Sequence, residues 1–233
     1  MTTRAAETSP LIIARVAGFL YLLVVPLGIF GSMYVPSRLI VSGDAATTAN
    51  NIMTSESLFR LGIVSNLLAP LVMLSVVLVL YRLLKPVNKN MAWLMVIFVL
   101  LGVSISMLNQ LTKFAALQLL SGADYLKVFT TEQLQALALM SLRLPGNIAT
   151  IFWGLWLFPL GYLVFKSGFL PSILGVLLMM SCFGYLIQAF AAFLGYRVSV
   201  GLYAALGEVL FLLWLLIKGV NAEQWEKRAL ASA

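Results

Sequence analysis

Three observations predict an all-α, polytopic integral membrane fold. Hydrophobic residues make up 62% of the 233-residue chain and charged residues only 10%, where soluble domains carry about 25% charged. The apolar residues gather into stretches close to the ~20 residues that cross a bilayer as a helix. Proline and glycine fall between these stretches, where helices stop or begin. Spans are expected at residues 11–34, 57–82, 91–120, 145–165, 172–194 and 200–218, six transmembrane helices arranged as three hairpins. The spans and their connections use up the chain, so residues 1–233 read as a single membrane domain without a separate soluble one.

Each element has a local reason. Arg4 and Arg15 precede an apolar run from Val16 to Val35. That run is longer than a signal-peptide core and no clear A-x-A cleavage site follows, so it reads as an uncleaved first span. In the long connection 35–56, Gly43-Asp44 followed by Ala45 to Met53 predicts a short helix capped by the aspartate. Lys85-Pro86-Val87-Asn88 predicts a tight turn between the second and third spans, and Lys166-Ser167-Gly168-Phe169-Leu170-Pro171 another between the fourth and fifth. In the connection 121–144, Thr130-Thr131-Glu132-Gln133 is a capping box opening a helix toward Arg143. Long loops with helices of their own serve as functional covers or pack at the lipid headgroups, and both readings stand. Ser57-Leu58-Phe59-Arg60-Leu61-Gly62 and Ser141-Leu142-Arg143-Leu144-Pro145-Gly146 also suggest a weak internal repeat, with chance similarity between leucine-rich stretches as its rival.

Lys and Arg set the expected orientation. With the N-terminus inside, the inner segments hold Arg4, Arg15, Arg82, Lys85, Lys89, Lys166, Lys218, Lys227 and Arg228. The outer segments hold Arg38, Arg60, Lys127, Arg143 and Arg197. This bias favours both termini in the cytoplasm, with 35–56 and 121–144 as outer loops. Trp93 and Trp225 fit anchors at the inner interface.

Composition excludes several functions. The net charge of +7 is scattered over short loops with no compact basic patch, so nucleic acid is not an expected partner. There is no His, and Cys182 is the single Cys. An internal disulfide, a His/Cys zinc site and Ser–His or Cys–His catalysis are therefore ruled out. Cys182 reads as a small packing residue. Phosphate-loop and dinucleotide glycine patterns are missing as well. Ser106 and Lys113 share a helix face, yet two turns hold them about 10 Å apart along the axis, too far for a hydrolase dyad. A carboxylate metal site from Asp44, Asp124, Glu56 and Glu132 is a minor alternative. No catalytic residue, metal ligand or cofactor is assigned, and an enzyme is the minority reading.

The chemistry concentrates in polar residues inside the spans. Gly102, Ser106, Asn109, Lys113 and Ala116 fall on one stripe of span three, and Arg143, Asn147, Thr150, Gly154 and Gly161 on one of span four. Span five contributes Ser181, Gly184, Tyr185, Gln188, Ala192 and Gly195, and span six Gly201, Ala204, Ala205 and Glu208. Small, polar faces of this kind point into a bundle. At 1.5 Å per residue, Glu208, Lys113, Asn109, Gln188, Asn147 and Asn66 lie roughly 6–16 Å from the outer ends of their spans. The inner half has no matching set. An ionisable group inside a membrane marks a functional site by default, which singles out Glu208, with Lys113 as its expected counter-charge and Arg143 as the second choice. Hydrogen bonding between helices, or a buried ion pair, is the structural alternative for the same residues. Trp153 and Trp156 are expected to pack or meet lipid, and Pro26, Pro70 and Pro159 to bend their helices.

A set of longer motifs carries a family resemblance. They are Ala14-Arg15-Val16-Ala17-Gly18, Ser37-Arg38-Leu39-Ile40-Val41-Ser42-Gly43-Asp44-Ala45, Leu58-Phe59-Arg60-Leu61-Gly62-Ile63 and Leu84-Lys85-Pro86-Val87-Asn88. Gly161-Tyr162-Leu163-Val164-Phe165-Lys166-Ser167-Gly168-Phe169-Leu170-Pro171 and Leu213-Trp214-Leu215-Leu216-Ile217-Lys218-Gly219-Val220 complete it. Over nearly its whole length the chain resembles a bacterial membrane family catalogued as domain of unknown function 4386. The resemblance implies the architecture and a multi-pass protein of the bacterial cytoplasmic (inner) membrane. It implies no activity.

The expected function is binding of a lipid or small amphiphile in an outward-facing polar pocket formed by Glu208, Lys113, Asn109, Arg143, Asn147, Gln188 and Asn66. The expected partners are membrane lipid and a small-molecule ligand. A small proton- or ion-coupled transporter using Glu208, assembled as a homo-oligomer, is the alternative. A structural or partner subunit without ligand is the third reading.

Overall fold

The computed structural model describes residues 9–144, 148–196, 198 and 201–231, with backbone only at 201–204. Among the described residues the fold is all-helical. Helix α1 (Pro10–Ile29) starts with proline in its first turn, where the missing N–H costs nothing. It runs through a π-helical turn at Phe30–Tyr34 into α2 (Val35–Leu39), so the first apolar stretch extends past the expected end at residue 34. Asp44 caps α3 (Ala45–Thr54), accepting from the Thr47 backbone N–H at 2.9 Å and the Thr47 hydroxyl at 2.7 Å. These bonds, the hydroxyl's first, hold the Asp44 carboxyl below its ordinary pKa. Helix α4 (Glu56–Leu84) follows after one residue.

Asn88 caps α5 (Lys89–Leu108), which breaks at Asn109 and resumes as α6 (Gln110–Leu119). The expected capping box opens α7 (Thr131–Arg143), with Thr130 and Gln133 bonding each other's backbone. Helix α8 (Ile148–Leu155) passes into α9 (Leu157–Ser167) across Trp156. Pro159 accounts for that break, since its ring crowds the carbonyl of Leu155 four residues back. Gly168, in a left-handed conformation (φ 76°), ends α9 and turns the chain into α10 (Ser172–Phe193). Helix α11 (Gly201–Ile217) is followed by α12 (Ala222–Ala231), which turns away by 102°.

Five helical stretches are long and apolar enough to cross a membrane: Pro10–Leu39, Glu56–Leu84, Lys89–Leu119, Thr131–Ser167 and Ser172–Phe193. The bent α11–α12 pair would make a sixth. The long helices pack in chain order around a ring. Helix α1 lies on α4, α4 on α5, α5 on α8 and α9, these on α10, and α10 on α11. Helix α11 then returns to α1 and closes the circle. Small residues permit the closest approaches, as expected where lipid gives no hydrophobic drive between helices. A Cβ on Gly161 would stand 2.6 Å from the Gly175 carbonyl oxygen, and one on Gly207 would stand 2.6 Å from Ser181 Oγ.

The two halves of the ring differ. Toward the tight α4–α5 and α9–α10 turns the interior is apolar, with Leu80, Leu83, Leu84, Leu160, Leu163 and Leu215 all fully buried. Toward the long connections a second, smaller core joins Val35, Leu39, Ile52, Phe59, Ile63 and Leu117. Helix α7 packs there against α3 and α6. The short helices of the two long connections therefore cover one sector of the bundle together.

Candidate functional site

Glu208 sits where the ring closes. Its Oε2 accepts a hydrogen bond from the Tyr21 hydroxyl of α1, and its Oε1 accepts one from the Tyr185 hydroxyl of α10 at 2.8 Å. Helix α11 is thus tied through one carboxylate to both its ring neighbours. Each phenol sits near the middle of its helix, 11 residues from Pro10 for Tyr21 and 13 from Ser172 for Tyr185, or roughly 16–20 Å along the axis. The edge of the Tyr21 ring meets Trp156 with centroids 6.1 Å apart. Trp156 is almost fully buried, so Tyr21 joins the carboxylate to the packed centre of the bundle. Gly154, whose Cβ would stand 2.9 Å from that of Tyr185, lets α8 lie close beside it.

Phenolic partners replace the expected cation. Lys113 and Arg143 form no ion pair with Glu208: the three ion pairs among the described residues are Arg60–Glu56, Lys127–Asp124 and Lys227–Glu223, all between near neighbours in sequence. The reason is the ring order. Helix α6, which carries Lys113, resumes after the break at Asn109 and packs with α4, α5 and α7, while α11 packs with α1 and α10. Arg143 is exposed at the end of α7 and donates to Ser42 Oγ at 3.2 Å, linking the two long connections.

The remaining expected site residues divide the same way. Gln188 lies one turn along α10 from Tyr185, on the same face, and its Oε1 is buried with no hydrogen-bond partner among the described residues. Asn66 works elsewhere, on α4. Its Nδ2 donates to the Gly31 carbonyl at 2.6 Å and the Gly62 carbonyl at 2.9 Å, and its Oδ1 accepts from Ser32 Oγ at 2.7 Å. Gly31 and Ser32 belong to the π-helical turn, whose widened geometry leaves carbonyls in need of a donor. Asn109 sits at the α5–α6 break, where its carbonyl accepts from the Thr112 hydroxyl at 2.9 Å. Ser106 accepts from Trp153 Nε1 at 3.0 Å, which joins α5 to α8. Asn147 lies outside the described residues. Tyr185 lies in the expected span-five stripe, whereas Tyr21 is a lone hydroxyl within an apolar run and has no such signal.

A carboxylate bonded to two phenols retains acceptor capacity, because its two oxygens offer about four lone-pair positions. Those positions suit a further hydrogen-bond donor or a cationic group, and each oxygen is fixed by its phenol.

Comparison with known proteins follows the architecture. The profile of a family described as Domain of unknown function (DUF4386) matches residues 16–219. An uncharacterized protein from Archaeoglobus fulgidus is 36% identical over 145 residues, covering 62% of this chain and 75% of that protein. No solved structure matches.

Proposed function

We propose that this chain, which belongs to the family described as Domain of unknown function (DUF4386), is a membrane-embedded binding protein for a lipid or small amphiphile bearing a hydrogen-bond donor. It would cross the membrane six times with both termini on the cytoplasmic side, as the distribution of Lys and Arg favours. Glu208 is the primary acceptor, oriented by Tyr21 and Tyr185, and Gln188 supplies an acceptor one turn along α10. The observation that carries this reading is a carboxyl acceptor bonded to two phenols in mid-bundle, above an apolar core. That core supports a blind-ended site over a transport path. A coupled transporter using Glu208 would need a polar route past Leu83, Leu84, Leu160 and Leu163, and all four are fully buried. Gln110, whose Nε2 donates to the Ser106 carbonyl at 3.1 Å, and Lys113 lie outside this seam on α6.

The test is native mass spectrometry of the full chain purified in mild detergent, wild type beside Glu208→Gln. The amide preserves the shape: its oxygen accepts from one phenol and its NH2 donates to the oxygen of the other. Wild type should retain a bound amphiphile, and the variant should hold it about tenfold more weakly as one acceptor oxygen becomes an amide donor. Equal retention by both proteins, or none by wild type, would overturn the proposal.

A further inference from the structure

The opposite end of the bundle carries a second candidate site, independent of Glu208. A cleft of about 440 Å³ lies between the α9–α10 turn and the α11–α12 bend, within the size range of small-ligand sites. Its floor is apolar, from Phe169, Leu170 and Trp214, and its rim is polar, from Lys218, Asn221 and Gln224. Lys218 is the single charged side chain lining it. The nearby acid Glu223 is engaged with Lys227 at 2.6 Å, and among the described residues no carboxylate lines the cleft beside Lys218. Helices α10 and α12 both begin at this cleft, adding the partial positive charge of two helix N-termini.

The cleft is held in shape from three directions. The Asn221 backbone N–H donates to the Phe169 carbonyl at 3.1 Å, which joins the two turns. Trp225 Nε1 donates to the Leu83 carbonyl at 2.8 Å, pinning α12 to the end of α4. Gly219, with φ 68°, seats the bend against Leu11 of α1. Ile173 of α10 and Ile217 of α11, close in sequence to Pro171 and Lys218 of the cleft, are exposed. An occupant therefore meets a lysine together with apolar helix surface.

We infer that this cleft binds the phosphate headgroup of an anionic phospholipid, with Lys218 and the polar rim on the phosphate and the acyl chains along α10 and α11. The lipid is favoured over a soluble phosphate because the apolar floor continues onto lipid-facing side chains.

The experiment titrates the full chain in neutral detergent with phosphatidylglycerol, phosphatidylcholine or inorganic phosphate, read by native mass spectrometry and by Trp fluorescence quenching with brominated lipid. One phosphatidylglycerol should bind in clear preference to phosphatidylcholine. Lys218→Gln should weaken it about fivefold, in line with the value of one basic residue near an anionic surface. Gln224→Glu, at an exposed position, should weaken it at least as much without disturbing the fold. Equal binding of the two lipids, or phosphatidylglycerol binding unchanged in both variants, overturns the inference. Competition by inorganic phosphate at concentrations equal to the lipid would overturn the lipid as the source. Neither variant should alter an amphiphile held at Glu208, which separates failure at one site from failure at the other.

Discussion

The first span is joined to its two ring neighbours by different chemistry. Along α4, both donor bonds of the Asn66 amide go to backbone carbonyls and its oxygen takes a serine hydroxyl. Along α11, Glu208 meets only side chains, and those leave lone pairs free. A neutral amide that satisfies main-chain groups stabilises a helix distortion that lipid would otherwise penalise. A carboxylate serving two hydroxyls stabilises nothing in the backbone. The two seams differ in what their polar residues satisfy: main-chain carbonyls at Asn66, side-chain hydroxyls at Glu208.

The largest expected effect breaks the Asn66 seam. In Gly31→Val the new Cβ would lie 2.6 Å from Asn66 Nδ2 and 2.9 Å from the Gly62 oxygen, costing about 3 kcal/mol by overpacking. Asn66→Leu strands the Gly31 carbonyl and should cost about 2 kcal/mol. Unfolding in detergent titrated with SDS measures both. At the other seam, Glu208→Leu strands two phenols for about 1–2 kcal/mol, while Glu208→Gln should stay within about 1 kcal/mol of wild type. If Glu208→Gln proved as destabilising as Asn66→Leu, the two seams would be equivalent and Glu208 would be a structural residue.

The smallest effect lies outside both seams and calibrates them. Asp44 is a carboxylate whose role is wholly local, capping α3 through Thr47. Its folded pKa is depressed below the ordinary value of 3.8, so its contribution is complete above that value and disappears as pH falls through the folded pKa. Hydrogen exchange at the first turn of α3 should therefore speed up selectively below about pH 4, with the α4 amides unaffected. Asp44→Asn, which keeps a capping oxygen, should remove most of that pH dependence.

What could be read from the residues alone follows the range of the interaction. Asp44, Asn88 and Thr130 cap helices through partners three residues away, and their patterns predicted α3, the tight turn into α5 and α7. Glu208 stood out because a charge in an apolar run is conspicuous at any range. Its partners did not, since Tyr21 is 187 positions away and is brought near only by ring closure. Pairing Glu208 with Lys113 assumed that equal depth implies proximity. Depth follows from counting residues along a helix, but the angular position of α6 depends on the break at Asn109 and on packing with α7. The π-helical turn was equally invisible, although Gly31 and Asn66 are the residues that accommodate it.

Ring closure in chain order has a consequence for biogenesis. Of the ring helices, ribosomal synthesis delivers α1 first and α11 last, so Tyr21 waits through most of translation for the carboxylate it will bond. Until then the part of α1 bearing Gly18 and Tyr21, which meets Leu215, Leu216 and Glu208 in the folded protein, lacks its partner helix. A chain stalled before α11 would differ from the finished protein at that face.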